Sequence, residues 1–224
     1  MENTLSDLII TIDGPSGSGK SSISQNVAKK IKGRRLDTGG IYRTVAYYLV
    51  AKGESLDDHA HLSLLTRDLD IKINNGTQFL LNGEDVSTQI RSPKAGQAAS
   101  IIAAVPEVRA NLLQLQRKLA HPGPTVCEGR DMGTVVFPDA PVKFFLTASP
   151  EERAKRRFLQ LQEEDLDSAI DFKTILKEQK KRDHRDSTRK TAPLKQPEDA
   201  ILVDSTNMIK TEVVNFMIEA IMVK

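Results

Sequence analysis

Residues 8–22 read LIITIDGPSGSGKSS and decide the fold of this chain. An apolar, β-branched run over residues 8–12 stops at Asp13, and apolar side chains then recur at helical spacing at Ile23, Val27 and Ile31. The stretch therefore predicts a strand, a glycine-rich loop and a helix, in that order. This order is the context in which a phosphate-binding loop occurs, and it disfavours a Gly/Ser-rich turn that fits by accident.

The loop fits G-x-x-x-x-G-K-[ST], the signature of a nucleotide-binding P-loop, through Gly14, Gly19, Lys20 and Ser21. Glycines let successive backbone N–H groups turn toward phosphate oxygens, and the N-terminus of the following helix adds its partial positive charge. We expect Lys20 to reach the β- and γ-phosphates and the Ser21 hydroxyl to bind Mg²⁺, which prefers oxygen ligands. The motif predicts a nucleotide site with Mg²⁺.

Composition narrows the class of protein. The 224 residues are 39% hydrophobic and 28% charged, as in an ordinary globular chain with one core and insertions. A net charge of +2 and 4% aromatic residues give little support to a nucleic-acid-binding surface, and the single Cys127 leaves no internal disulfide or CxxC site. The sequence has no signal-peptide pattern and no apolar run near the roughly 20 residues of a membrane span, so we expect a cytoplasmic protein.

A second strand is predicted to end at Asp37, and a helix to begin near Gly39 or Gly40. Asp37, Thr38 and Arg43 then lie at the carboxyl end of a strand and on the next helical turn, where open α/β sheets bind ligands. The Arg43 guanidinium suits a phosphate because it can donate two parallel hydrogen bonds. The alternative is structural, with Thr38 as a helix N-cap and Arg43 in solvent.

Residues 56–92 break the alternation of strands and helices. Short strands are predicted at 70–73, 78–82 and 85–86, with turns at Asn75-Gly76 and Asn82-Gly83, which indicates a small antiparallel sheet. Residues 94–104 favour a helix and carry Ser100. Such an insertion is a candidate substrate-binding subdomain. We divide the single domain into a core (1–55, 105–150 and 192–224), the insertion (about 56–104) and a helical segment (about 151–191).

Strands at 125–128, 142–146 and 200–203 alternate with helices at about 106–119, from Pro150, and at about 210–222. This alternation predicts an α/β fold with a parallel sheet. Arg109 lies off the apolar stripe of its helix, and Cys127 is interpreted as a small buried strand residue. The run Gly129-Arg130-Asp131 directly follows a strand, so polar groups again lie at the carboxyl edge of the sheet.

Residues 177–190 are strongly basic and predict a helix. At helical spacing Arg182, Arg185, Asp186 and Arg189 share one face. A solvated charged helix is the ordinary interpretation of such a stretch. Beside a phosphate loop this face has a second interpretation, because phosphoryl transfer needs mobile cations that cover developing charge and exclude water.

Three longer motifs, DTGGIYR at 37–43, EGRDMGTVVFP at 128–138 and RDHRDSTR at 182–189, accompany the P-loop. With them the chain closely resembles the bacterial cytidylate kinase family of nucleoside monophosphate kinases. The resemblance covers nearly the whole chain, including the insertion, which in that family is an enlarged NMP-binding subdomain. It implies a P-loop NTPase fold of three αβα layers with a five-stranded parallel sheet, and a helical lid at about 151–191.

The resemblance also implies an activity, a phosphotransferase that moves the γ-phosphoryl group of ATP to CMP or dCMP with Mg²⁺. Its implied catalytic cations are Lys20, Arg130, Arg182 and Arg189. The residues implied to hold ATP are Gly14, Pro15, Ser16, Gly17, Ser18, Gly19, Lys20, Ser21, Ser22 and Arg157. Those implied to hold CMP are Asp37, Thr38, Arg43, Ser100, Arg109, Arg130, Asp131, Arg182, Asp186 and Arg189, with Ser100, Arg109 and Asp131 at the cytosine.

The chain departs from the family pattern at two places. The family commonly has Ala where this chain has Gly40, so we expect Gly40 to cost a little stability. It often has Gly-Thr where this chain has Ser21-Ser22, so either hydroxyl is a candidate ligand of Mg²⁺. The alternative functions are another P-loop kinase, of the uridylate or shikimate type, and a non-catalytic nucleotide- or RNA-binding protein. We expect a monomer without nucleic-acid or membrane partners.

Overall fold

The computed structural model describes residues 7–163 and 171–223. The elements in chain order are β1 (Ile9–Asp13), α1 (Lys20–Lys30), β2 (Arg34–Asp37), α2 (Thr38–Ala51), α3 (His59–Thr66), β3 (Ile71–Asn74), β4 (Gln78–Leu81), β5 (Glu84–Asp85), α4 (Pro93–Ile102), α5 (Pro106–Leu119), β6 (Thr125–Gly129), β7 (Val142–Thr147), α6 (Pro150–Glu163), α7 (Phe172–Thr188), β8 (Ile201–Asp204) and α8 (Lys210–Val223). A short 3₁₀ turn at Gln89–Arg91 and a π-helical turn at Met132–Val136 complete the elements of the described residues. None of the helices in these two ranges is long and apolar enough to cross a membrane.

The main sheet has five strands in the order β2-β6-β1-β7-β8, and each neighbouring pair is parallel. All five residues of β1 are buried, because the strand lies at the centre of the sheet with helices on both faces. One apolar layer joins Ile10, Ile12 and Phe144 to α1 and α8, and the other joins Leu36 and Cys127 to α2 and α5. The predicted three-layer αβα fold is confirmed, and Cys127 is fully buried as expected.

The insertion contains the predicted antiparallel sheet, β3-β4-β5. Its two Asn-Gly turns place both Asn75 and Asn82 at positive φ, which those turns require. The helix α3 was not predicted, although Asp58 is its N-cap and accepts a hydrogen bond from the His61 amide at 3.0 Å. The insertion and lid boundaries proposed from the sequence stay a prediction.

Gly40 has a packing role on α2, and the small stability cost expected from its flexibility stays a prediction. A Cβ at this position would lie 2.1 Å from Cζ of Phe79, which is buried on β4. Because only glycine leaves this space on α2, the insertion packs directly against the helix that follows β2.

Aspartate side chains set the starts of two helices, and one start differs from the sequence prediction. Helix α2 begins at Thr38, because the Asp37 carboxylate caps it by accepting a hydrogen bond from the Gly40 amide at 2.8 Å. The cap is therefore Asp37 and not Thr38. Helix α7 begins at Phe172 because Asp171 caps it, and it ends at Thr188, so it carries most of the basic stretch 177–190 that predicted a helix. The sequence between α6 and α7 is a polar stretch at 163–171, most of which lies outside the described residues.

Candidate active site

The phosphate loop leaves the centre of the sheet between β1 and α1, as predicted. A Cβ at Gly14 would lie 2.0 Å from the Leu146 carbonyl oxygen, so the loop can only pass β7 with glycine there. Gly19 has a φ of 90° in the left-handed region, which glycine adopts without strain, and it turns the chain into α1.

Lys20 is the first residue of α1, and its ammonium group turns back into the loop. Its Nζ donates to the carbonyl oxygens of Gly14 at 2.8 Å and Pro15 at 2.6 Å, and to Ser18 Oγ at 3.2 Å. Burial, followed by the positive charge of Arg130, lowers the pKa of Lys20 well below its ordinary value. An anion bound beside it would offset both effects.

Glu128, the penultimate residue of β6, lies beside this loop and contacts Ser21 but not Ser22. Its buried carboxylate accepts hydrogen bonds from Ser21 Oγ at 3.1 Å and Ser24 Oγ at 3.1 Å, and it pairs with Arg35. Burial raises the pKa of Glu128. The Ser22 hydroxyl points elsewhere, because it donates to the Gly19 carbonyl oxygen at 3.1 Å within its own helix.

The adjoining oxygens of Ser21 and Glu128 fit a hard cation such as Mg²⁺. Within residues 7–163 and 171–223, no three His, Cys, Asp or Glu side chains lie together as a ready-made metal site. This donor set suits an ion that keeps several waters and takes its other ligands from substrate phosphates.

Asp131, which follows β6, and Arg109 on α5 form a buried ion pair. Their side chains are only 4% and 8% exposed, and Arg109 Nη2 contacts Asp131 Oδ2. Arg109 also donates to the Ala103 carbonyl oxygen at 3.2 Å, and Arg189 Nη2 lies 3.6 Å from Asp131 Oδ1. Burial raises the pKa of the Asp131 carboxyl. Arg109, which the helix pattern placed off the apolar stripe, is therefore buried by its ion pair.

Asp186 on α7 brings three parts of the chain together. Its carboxylate accepts from Arg130 Nε at 2.9 Å and from Ser100 Oγ, on α4 of the insertion, at 3.4 Å. Burial opposes ionisation of Asp186, yet Arg130 and Arg182 hold its pKa below the ordinary value. The sequence-predicted residues Ser100, Arg130 and Asp186 thus meet at one place.

At the end of β2, Asp37 accepts from Arg43 Nη2 at 2.9 Å and lies 3.3 Å from Arg35 Nη2. Burial opposes its ionisation, but Arg43 and then Arg35 hold the pKa of Asp37 below its ordinary value. The Thr38 hydroxyl donates to the Glu128 carbonyl oxygen at 2.7 Å, which ties α2 to β6. Arg43 is therefore paired at the sheet edge. The structural alternative, which placed Arg43 in solvent, is wrong on this point.

The cationic face of α7, formed by Arg182, Arg185 and the C-cap residue Arg189, carries more positive charge than Asp186 on the same face neutralises. Burial, and then the field of Arg130, lowers the pKa of Arg182 to about 10. Burial and Arg109 also lower the pKa of Arg189. Nε of Arg182, Nε of Arg185 and Nη2 of Arg189 are buried, and none has a hydrogen-bond partner in the described part of the chain. Buried cationic donors without a hydrogen-bond partner are typical of a site for an anion.

Comparison with known proteins assigns this arrangement to a family. The family model described as Cytidylate kinase matches residues 10–223. The chain belongs to the cytidylate kinase family. The cytidylate kinase of Haemophilus ducreyi is 48% identical over 214 residues, covering 94% of this chain and 95% of that protein. The cytidylate kinase of Shewanella piezotolerans is 47% identical, with coverage of 89% and 88%, and that of Mycolicibacterium paratuberculosis is 43% identical, with coverage of 95% and 94%.

The family predicted from the sequence is therefore confirmed, and so is the prediction of a kinase. Family membership argues against a shikimate-type kinase and against a non-catalytic nucleotide- or RNA-binding protein. The individual roles given to the site residues stay predictions. Among them Arg157 is partly buried on α6, and within the described residues no hydrogen bond joins it to the phosphate loop.

Several residues of the site were missed by sequence reasoning. Asp13 is fully buried at the end of β1 and accepts hydrogen bonds from the amides of Met132 at 2.9 Å and Gly133 at 2.8 Å. Burial raises its pKa to about 6. A carboxylate at the end of an apolar strand was the sequence signal that could have identified Asp13 as a site residue. Arg153 and Asp183, which reach the phosphate loop from α6 and α7, had no such signal.

Proposed function

We propose that this enzyme transfers the γ-phosphoryl group of ATP to the phosphate of CMP or dCMP, forming ADP and CDP or dCDP. The observation that supports the proposal is that the phosphate loop with Lys20 and the buried Arg109–Asp131 pair both lie where parallel strands of the sheet end. We assign the phosphate loop to the donor half of the site and the Arg109–Asp131 pair to its acceptor half. The cationic face of α7 lies against the second half and beside the first.

Asp131 and Arg109 suit a cytosine ring. Cytosine presents an N–H donor at position 4 and acceptors at N3 and O2, so a carboxylate can accept from the amino group while a guanidinium donates to the acceptors. Uracil carries an acceptor at position 4 and would set its lone pair against the Asp131 carboxylate. A buried polar group left unpaired in this way rejects the wrong base by up to about 10⁴-fold.

Catalysis in this proposal needs charge and position and no general base. The attacking group is already an anionic phosphate oxygen, so the residues have only to align the two phosphates and neutralise the charge that develops. We assign this role to Lys20, Arg130, Arg182 and Arg189. Ser21 would hold Mg²⁺, with Glu128 orienting its hydroxyl; the ion supplies further neutralisation of the phosphate charge when bound.

A coupled assay that detects ADP tests the proposal on CMP, dCMP, UMP, AMP and shikimate, with ATP or GTP as donor and with Mg²⁺ or EDTA. We expect turnover of CMP and dCMP only with Mg²⁺, and a clear preference over UMP and AMP. Turnover of UMP or AMP at the rate of CMP would refute the acceptor assignment. We also propose a monomer that works in the cytoplasm, which sedimentation and cell fractionation would test.

Lys20→Ala should abolish turnover without unfolding the protein. The matched control is Lys29→Ala, which removes an exposed lysine from the same helix and should keep wild-type activity. Near-normal activity of Lys20→Ala would refute the donor half of the proposal.

A further inference from the structure

The outer edge of the phosphate loop is held by two helices that carry none of its motif. The Ser16 amide donates to Asp183 Oδ1 on α7 at 3.0 Å. The Ser16 carbonyl oxygen accepts from Arg153 Nη1 on α6 at 2.8 Å, and this same nitrogen also pairs with Asp183. Both backbone groups of Ser16 are thus engaged by one Arg–Asp pair, which we call the loop clamp (Arg153, Asp183).

The side chains of the loop clamp are largely buried and are supported by further contacts. The side chains of Arg153 and Asp183 are 6% and 18% exposed, and Arg153 Nε also donates to the Ala148 carbonyl oxygen at 3.0 Å. Gln179, one turn before Asp183, covers the next residue of the loop, since a Cβ at Gly17 would lie 2.6 Å from Gln179 Nε2. A buried ion pair with these extra hydrogen bonds fixes position far better than an exposed one.

The same helix also holds the acceptor half. Asp186 follows Asp183 by three residues, which is less than one helical turn, and it binds Arg130 and Ser100. Arg182, with its unused Nε, immediately precedes Asp183. Because an α-helix is rigid over so short a distance, the position of the clamp on the loop determines where Asp186 and Arg182 lie.

We propose that Asp183 and Arg153 are positioning residues that register α7 on the phosphate loop and so couple the two substrate sites. Neither residue is assigned to a substrate. When a nucleoside triphosphate binds the loop, the clamp holds α7 in the place where Asp186 and the arginines serve the acceptor. The bound donor therefore raises the affinity for the nucleoside monophosphate, and the effect is reciprocal. The inference rests on the proposed division into donor and acceptor halves.

The test is calorimetric binding of CMP to the full chain, with and without a saturating non-hydrolysable ATP analogue and Mg²⁺. The measured quantity is the ratio of the two CMP dissociation constants. We expect a ratio of about fivefold or more for the wild type, the usual size of coupling between sites. Asp183→Asn keeps an acceptor for the Ser16 amide but removes the ion pair, and it should bring the ratio close to one.

Glu151→Gln is the matched control. Glu151 and Lys180 form an ion pair at 3.2 Å that also joins α6 to α7, but both side chains are more than half exposed and lie away from the loop contacts. This variant should keep the wild-type ratio, so a loss confined to the clamp cannot come from merely loosening the two helices. Circular dichroism before each titration checks the fold.

Arg153→Lys carries the test if Asp183→Asn fails to fold. It keeps the charge but not the planar set of donors that serves Ala148, Ser16 and Asp183 together, and the ratio should fall toward one. A folded variant with the wild-type ratio overturns the inference, as does a wild-type ratio of one. A wild type that binds the analogue but no CMP overturns the proposed function and the inference together.

Discussion

Replacing Asp131 with Asn should damage both the stability of the protein and its choice of base. The Asp131 carboxylate is 4% exposed, contacts Arg109 and lies 3.6 Å from Arg189. Asn preserves the shape and one acceptor oxygen but removes the only charge placed between those two guanidinium groups in the described acceptor half. Both arginines then remain buried with a diminished counter-charge.

The size of each effect follows from this geometry. Removing one partner of a buried ion pair costs about 3–5 kcal/mol, and the retained acceptor oxygen puts Asp131→Asn near the lower value. This is a large part of the roughly 5–15 kcal/mol by which domains are stable. Loss of a charged acceptor for the cytosine amino group costs about 1.5–3 kcal/mol of binding, so the preference for CMP over UMP should fall by about 10- to 100-fold.

Urea unfolding gives the stability, and initial rates with CMP and UMP give the preference as a ratio of kcat/KM. Asp139→Asn makes the same chemical change at an exposed position of the neighbouring segment and should leave both quantities unchanged. The double variant with Arg109→Gln should be less destabilised than the sum of the single changes, because the pair is then removed as a unit. Additive changes, or a folded Asp131→Asn with the wild-type CMP preference, would refute the reasoning.

Three further perturbations test other parts of the structure. Gly40→Ala should lower the free energy of unfolding by about 1–3 kcal/mol, because the new Cβ would clash with Phe79. Adding Phe79→Leu to this variant should recover part of the loss, and an equal loss in the double variant would count against the contact. The pKa of Asp13 is raised to about 6 from an ordinary 3.8, so the folded protein holds this proton more tightly than the unfolded chain does. The stability that the protonated carboxyl contributes is fully present below about pH 4 and is lost as the pH rises through about 6. The unfolding free energy of the wild type relative to Asp13→Asn should therefore fall by about 3 kcal/mol over that window in urea titrations, and a flat difference would contradict the burial argument. Ser21→Ala should raise the Mg²⁺ concentration for half-maximal activity by about tenfold or more, whereas Ser22→Ala should leave it near the wild-type value. A rise with Ser22→Ala and none with Ser21→Ala would instead assign the metal to Ser22.

Much of the fold follows from local sequence because its signals are local. The apolar strand, the glycines and the helix after Lys20 lie within a few residues of each other, and the two Asn-Gly turns specify the small sheet. The start of α2 differs from the prediction for a reason that is also local, because Asp37 and not Thr38 caps the helix. An N-cap can be predicted from sequence only where a single candidate capping residue is present, and here Asp37 and Thr38 are adjacent.

The site was less predictable because its contacts join distant parts of the chain. Asp13 meets the Met132 amide across 119 positions, and Asp183 meets Ser16 across 167. Neither pairing has a periodicity or a spacing that could indicate it. The residues carried over from the family motifs converge on one edge, whereas the residues that hold those motifs in place became visible only with the packing of β1, β6 and α7.

The buried cations explain why two carboxylates within one helical turn, Asp183 and Asp186, anchor the helix α7. A pKa of about 10 for Arg182, against an ordinary 12.5, corresponds to roughly 3 kcal/mol by which burial and neighbouring positive charge disfavour its ionised form. That cost would drive α7 away from Arg130 and Lys20 if only charge acted. Asp186 and Asp183 oppose this by pairing with Arg130 and Arg153, and Nε of Arg182 and Nη2 of Arg189 keep no hydrogen-bond partner among the described residues. Substrate phosphates would supply the missing negative charge, so the arrangement that is least favourable for the free protein is the one most complementary to a phosphoryl group in transfer.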